Sequence, residues 1–430
     1  MLKKMKEEFL YYLWSNKLLS PMLKTTNNQD ITIINQGRQN HDSGPDFFNA
    51  RIKINGQIWA GNVEIHVKSS DWEKHGHNHD DNYDNIILHV VFVNDMIIKR
   101  KSGEIIPCLE ISGHFDEKMI NIYENFMASK TWIACANSIS NVNHFEIHSW
   151  LDKLGVERLE IKSNNFIKQL EETKNDFQQL FYQKLSRAFG FNTNSQAFEM
   201  MASILPFSTL KKCLNNQLQI EALLFGQAGF LNNEFHDEYP NQLKREFNFL
   251  ANKYSIVPMD IKLWKHMRMR PVNFPSIRIS QFAALLEKSG YDLLNIIETD
   301  RLKTVISLFE CSASEYWDTH FRFDNKVKKS IRKKLGITSV NLILINTIIP
   351  FLFTYGRLNN KPTMEEKAIN WLEQIKAENN LIIRNFKKLD ISPKTAFHSQ
   401  ALIHLHKNYC DSKRCLNCRI GHNIISGKVI

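Results

Sequence analysis

Asp46, Glu64, His66 and Lys68 are the residues whose types and spacing bear most directly on chemistry. All four fall in the stretch GPDFFNARIKINGQIWAGNVEIHVKSSDW, Gly44 to Trp72. Side chains on a strand alternate between its faces, so Glu64, His66 and Lys68 stand in one row while Val63, Ile65 and Val67 stand in the other. Asp46 opens the preceding strand, and Asn55-Gly56 is a hairpin turn that folds that strand back beside Glu64. A bent pairing would bring the two carboxylates together. Carboxylates that close repel and are costly to hold unless a divalent cation lies between them. Mg²⁺ or Mn²⁺ at Asp46 and Glu64 would bind a phosphodiester oxygen and activate a water. His66 would then serve as third ligand or acid/base, and Lys68 would stabilise the developing negative charge. Simple alternation on a half-exposed strand would also leave such a polar row, with no function attached.

His75, His77 and His79 follow closely, with Asp80 and Asp81 behind them. Imidazoles and carboxylates gathered this densely are typical metal ligands. His75 and His77 are candidate ligands; His79 reads as a solvent-loop residue, and His89, inside the apolar run ILHVVF, as a hydrogen-bonded sheet histidine. A second candidate site lies in NYCDSKRCLNCRIGH, which carries Cys410, Cys415 and Cys418. C-x4-C-x2-C is the spacing of the first three ligands of a plant-type iron–sulfur site, and C-x2-C is equally that of a zinc knuckle. Zinc or an iron–sulfur cluster is the expected cofactor there, with the fourth ligand open among His404, His406 and His422 for zinc, or a distant cysteine such as Cys135 for either. Free thiols beside a basic tail are the plainer alternative. In IKLWKHMRMRPVNFPSIRIS, Arg268, Arg270 and Arg278 alternate with Trp264 and Phe274. Guanidinium groups among aromatics suit phosphates and stacked bases, so nucleic acid is the expected partner; cations snorkelling from a helix surface give the same pattern without one.

Up to about residue 125 the elements that must position these groups are a helix near residues 3 to 18 and short β-branched runs at ITIIN, FNARIKI, IWAGNVEIHV, NIILHVVFV and EIIPCLEI. A mainly antiparallel mixed sheet is predicted. DWEKHGHNHDDNYDN, between two of the runs, is too rich in Asn, Asp, Gly and His for a long helix. From about 140 to 410 the periodicity is helical nearly throughout. The predicted fold class is α+β, with an α/β domain over 1–125 and a helical domain over 126–430 that carries the cysteine cluster. The run Val340 to Phe353 is interrupted by Asn341, Asn346, Thr347 and Pro350 and reads as a buried helix too short to span a bilayer.

A chain of 430 residues with 43% hydrophobic and 23% charged residues builds large cores, which excludes a disordered, collagen-like or coiled-coil protein. Its 55 Lys+Arg against 45 Asp+Glu leave a net charge of +10, which permits a polyanionic partner. The stretch from Gln36 to Asp95 runs the other way, with nine acidic residues against five basic. MLKKMKEEFLYYLW carries Glu7 and Glu8 where a signal peptide needs apolar residues, and the seven cysteines are odd in number and scattered, so a cytoplasmic, reducing location is expected. No glycine loop able to cradle phosphates is present, which speaks against an enzyme of small phosphorylated molecules.

Pro45-Asp46 followed by Glu64-Ile65-His66 resembles the motif of the PD-(D/E)xK nuclease superfamily, with His66 in the lysine position and Lys68 two residues later. The resemblance implies a restriction-endonuclease-like domain and metal-dependent hydrolysis of nucleic acid. Over nearly the whole chain, the phrases EALLFGQAGFL, RMRPVNFPSIRISQFA, EYWDTHFRFD, NTIIPFLFTYG and CLNCRIGH, with the stretch from Gly44 onward, resemble the uncharacterised bacterial domain-of-unknown-function family 2851. A non-catalytic nucleic-acid-binding or scaffold protein, with a nuclease-like fold and a structural metal, is the alternative reading.

Overall fold

Phe9, Leu10, Leu13 and Trp14 recur at helical spacing and are buried on one side of helix α1, Glu7–Ser15. The computed structural model describes residues 5–213, 215–290 and 294–427. Helix α1 lies against the longest strand of a seven-stranded sheet built from β1 (Leu23–Lys24), β2 (Asp30–Asn35), β3 (Arg38–Gln39), β4 (Phe47–Ile54), β5 (Gln57–Lys68), β6 (Ile86–Val93) and β7 (Cys108–Glu110). The strand order is β1-β2-β4-β5-β6-β7, with β3 also on β4. Asn55 and Gly56, both at positive φ (46° and 88°), make the predicted hairpin between β4 and β5.

Pairing is antiparallel from β1 to β5, β3 on β4 included, and parallel from β5 through β7, so the sheet is mixed and mainly antiparallel, as expected. The parallel part follows from IILHVVFV. A strand covered on both faces reads as an unbroken apolar run, and β6 is buried almost end to end. Its parallel pairing requires a crossover, which the chain makes with short helix α2 (Asp71–Lys74) and single turns at His77–His79 and Asp81–Tyr83. No long helix forms there, as its composition predicted.

The architecture is α+β: a mixed sheet, then a large helical region. The chain divides into two compact units, one of residues 1–150 with 405–430 and one of residues 151–404. The boundary predicted after residue 125 therefore falls at 150, within helix α4 (His144–Glu172), and the C-terminal cysteines belong to the first unit. The second unit is helical, around a core that includes Phe181, Phe198, Phe282, Trp317 and Phe351. Its apolar run forms a continuous helix over Ile337–Leu358, 22 residues long and so longer than predicted. By length and composition it could cross a membrane, but 67% of its apolar window is buried within the protein.

Candidate metal centre

Phe47 on β4 pairs with Val63 on β5, and the register then shifts before Ala50, where Asn49 adopts a positive φ of 58°. This bulge bends β4 and sets Asp46 across from Glu64, the convergence predicted from the hairpin. The two acids clasp each other's backbones. The Asp46 N–H donates to Glu64 Oε2 at 3.1 Å, and the Ile65 N–H donates to Asp46 Oδ2 at 2.9 Å. Burial and then the charge of Glu64 push the Asp46 carboxyl up to about 7. Burial, with a contribution from Glu7, pushes Glu64 to about 8.

His66, one strand repeat on, is only 1% exposed. Its Nδ1 faces His89 Nε2 at 2.9 Å, and its Nε2 faces His75 Nδ1 at 3.1 Å. Glu64 Oε1 lies 3.6 Å from His66 Nε2 and 3.2 Å from His77 Nε2. Ligand atoms of His66, His75 and His77 all lie within 4.8 Å of one another. Burial and the neighbouring imidazoles lower His66 to about 2 and His89 to about 3, and burial lowers His77 as well. Neutral imidazoles beside raised carboxyls do not form ion pairs. His77 Nε2 is sealed from solvent and makes no hydrogen bond. Three imidazole nitrogens and a carboxylate oxygen therefore converge, which is a donor set for a divalent transition metal.

The loop after β5 is held by aromatic packing. Tyr83 stacks on His77 at 3.8 Å between centroids, and buried Trp72 meets His77 and His89, each at 5.3 Å. His89 sits next to His66 in the sheet because Glu64 pairs with His89 in the parallel β5–β6 register. It is buried and hydrogen-bonded, as predicted, and it fixes the orientation of His66. His79 is exposed and outside the group.

Three residues of this site carry no motif. Tyr11 on α1 hydrogen-bonds the Asp46 carboxylate, and its own pKa rises well above the usual tyrosine value through burial and the charge of Asp46. Glu7, one helical turn earlier, accepts from the Val67 N–H and is raised by burial, beside His75 and His77. Tyr83 closes the far side. The i, i+4 spacing of Glu7 and Tyr11 placed them on one helix face, a signal available in the sequence.

Two expectations are corrected. Lys68 shares the strand face of Glu64 and His66, yet its Nζ is drawn to Asp95 Oδ2 at 3.8 Å while its N–H donates to Asp71 Oδ2 at 3.0 Å. It lies at the end of β5, where the chain turns into α2, and its partly exposed ammonium faces Asp95 there, a weak surface pair. Arg278 is 7% exposed and cannot reach a phosphate from outside. It donates to Gln281 Oε1 at 2.9 Å and Asn273 Oδ1 at 2.6 Å and lies over the Phe191 ring at 4.6 Å, because the helix Pro275–Ser289 turns it inward. Arg268 and Arg270 are exposed, whereas Trp264 is buried and gives its indole N–H to the Ala228 carbonyl at 2.9 Å. All seven cysteines are free thiols.

A metal-ligand donor set on a mixed sheet defines the first unit. The chain itself belongs to the family described as protein of unknown function, DUF2851, whose model matches residues 7–381. Neither the curated proteins nor the solved structures contain a match to it.

Proposed function

We propose that the first unit is a metal-dependent phosphodiester hydrolase acting on nucleic acid, with Glu64, His66, His75 and His77 as metal ligands and Asp46 as the adjoining carboxylate. The observation that carries this reading is the approach of three imidazoles to within 4.8 Å of one another, with Glu64 Oε1 at 3.2 Å and 3.6 Å from two of them. Three nitrogens and one oxygen suit Mn²⁺ or Zn²⁺ better than Mg²⁺, which takes oxygen donors almost exclusively. The element order supports the nuclease resemblance: α1, the antiparallel β2, β4 and β5, the short α2, then β6 parallel to β5.

When bound, the ion supplies Lewis-acid polarisation of a phosphoryl oxygen and lowers the pKa of a water. The chain's own groups do the rest. His89 holds His66 in one orientation, and Tyr11 donates to Asp46 and keeps its carboxylate directed at Glu64. Glu7, raised by burial and beside His75 and His77, is positioned to take a proton from the attacking water. His75 is exposed, so the centre opens to solvent on its side. Exposed Arg268 and Arg270 in the helical unit offer charge to a phosphate backbone.

The non-catalytic reading draws on one observation, the pairing of Lys68 with Asp95, which removes the lysine that would stabilise charge at the phosphate. Cleavage assays with Mn²⁺ and Zn²⁺ on single- and double-stranded DNA and RNA separate the two. The hydrolase reading requires cleavage by the natural chain that falls to background in Glu64→Gln and His77→Ala. Equal rates in all three proteins, or none from the natural chain on every substrate, leave the binding reading in its place.

A further inference from the structure

The segment from Leu405 onward belongs to the first unit, and its contacts there are specific. Lys413 Nζ donates to the carbonyls of Met127 and Ser129 at the end of helix α3, Lys118–Ala128. Trp132 stacks on His406 at 4.5 Å, Trp150 meets Tyr409 edge-on at 5.6 Å, and Arg419 Nε reaches Glu146 Oε2 at 2.5 Å. These contacts lay the loop that carries Cys135 against the segment that carries Cys410, Cys415 and Cys418.

Cys415 and Cys418 are 9% and 8% exposed, in the turn that leads into the helix Arg419–Ile425. The backbone N–H groups of Ile420 and Gly421 donate to the Cys418 sulfur, against a burial that favours its neutral thiol. Gly421 permits the turn to close, since a Cβ there would stand 2.2 Å from the Cys415 carbonyl oxygen. Of the alternative fourth ligands, His404 lies in the other unit and His422 Nδ1 meets the Tyr12 hydroxyl at 3.0 Å, while His406 is stacked on Trp132 with Asp411 3.2 Å from its Nδ1 and neither ring nitrogen hydrogen-bonded.

We infer that Cys135, Cys410, Cys415 and Cys418 form a four-thiolate site for a thiophilic metal centre that fastens the C-terminal segment to the sheet unit. The four sulfurs lie on two segments that these contacts hold together, Cys415 and Cys418 buried and Cys135 and Cys410 half-buried. Gathering four thiols this way becomes favourable once a cation replaces their protons. The C-x4-C-x2-C spacing of the three late cysteines is that of iron–sulfur ligands and favours a cluster over a single zinc.

The test is metal and acid-labile sulfide analysis of full-length protein purified without oxygen, with Cys135→Ser, Cys418→Ser and, as control, Cys311→Ser. The expected result is iron and sulfide with visible absorption that dithionite bleaches, present in the natural chain and Cys311→Ser and lost in the other two. One zinc per chain, lost in Cys135→Ser, would keep the four-thiolate site and overturn the cluster. Absence of metal, or metal unchanged in Cys135→Ser, would overturn both. Should Cys135→Ser not fold, alkylation of the natural chain before and after metal removal decides instead. Protection of Cys135 together with the three late cysteines, lost on removal, supports the site, and equal labelling of Cys135 in both states refutes it. Iron bound in Glu64→Gln and His77→Ala keeps this result separate from the hydrolase reading.

Discussion

His66 makes contacts through both ring nitrogens, to His89 on one side and His75 on the other. A residue behind a metal ligand sets its tautomer and angle, and its loss typically costs about 10–100-fold in metal affinity. His89→Ala is therefore expected to weaken Mn²⁺ binding by about that factor, whereas Lys68→Ala, its side chain drawn to Asp95, is expected to leave it unchanged; calorimetric titration measures both. The carboxyls make the metal-free protein sensitive to pH. Asp46 and Glu64 sit at about 7 and 8 in the folded chain against 3.8 and 4.5 for the free groups, so the folded state holds more protons than the unfolded state between those values. Stability from these groups is complete below the unfolded values and is lost as pH rises through about 7 to 8. His66 and His89 act oppositely, but only below their ordinary 6.5. In chelated protein the urea midpoint should fall between about pH 6.5 and 8.5, and fall less in Glu64→Gln; a midpoint that rises would contradict the assigned shifts. Asp46, Glu64, His66, His75 and His77 were legible because alternation, a hairpin turn and dense spacing are local signals. The i, i+4 spacing of Glu7 and Tyr11 showed a shared helix face, but not that this face meets the sheet, and the part His89 plays depends likewise on which neighbour its strand presents.

Strand β5 positions the centre, and its register with β6 is held by close backbone approach at Gly61. A Cβ there would lie 2.4 Å from Ile87 Cγ2 and 2.8 Å from the Asn85 carbonyl oxygen, and a backbone carbonyl in a parallel pair has little room to move. Gly61→Ala is expected to destabilise the first unit by about 1–3 kcal/mol, the usual range for overpacking. Denaturant unfolding at constant m-value reads this, and a change within error would show that the pairing shifts freely. The strands and the helix-poor crossover were legible from alternation, Asn-Gly and composition. Which strands of the mixed sheet run parallel, β5 to β7, was not legible because direction is set by the length and path of the connection. Arg278 failed for a related reason: its spacing matches Arg268 and Arg270, but the helix beginning at Pro275 rotates it into the core.

At the scale of the molecule, the chain leaves the sheet unit at Trp150 and returns to it at Leu405. That return rests on pairs such as Trp132–His406 and Trp150–Tyr409, separated by hundreds of residues, and no local pattern announces them. The division has a thermodynamic consequence. A ligand that binds only the folded first unit, at 100 times its Kd, stabilises it by about 2.7 kcal/mol, which raises the Tm of a domain of 150–250 residues by roughly 5–11 °C. Calorimetry with and without Mn²⁺ should show one transition moving by about that amount and the transition of residues 151–404 staying in place. Equal movement of both would mean that the units unfold as one.

The most direct measurement is the titration of full-length protein with Mn²⁺, which thiolates bind poorly, followed by calorimetry or by the loss of the free-ion resonance signal. One tight equivalent is expected for the natural chain, with affinity at least about tenfold weaker in both Glu64→Gln and His77→Ala and unchanged in Lys68→Ala. Binding that is equally tight in all four proteins would contradict a centre built from Glu64 and the three imidazoles.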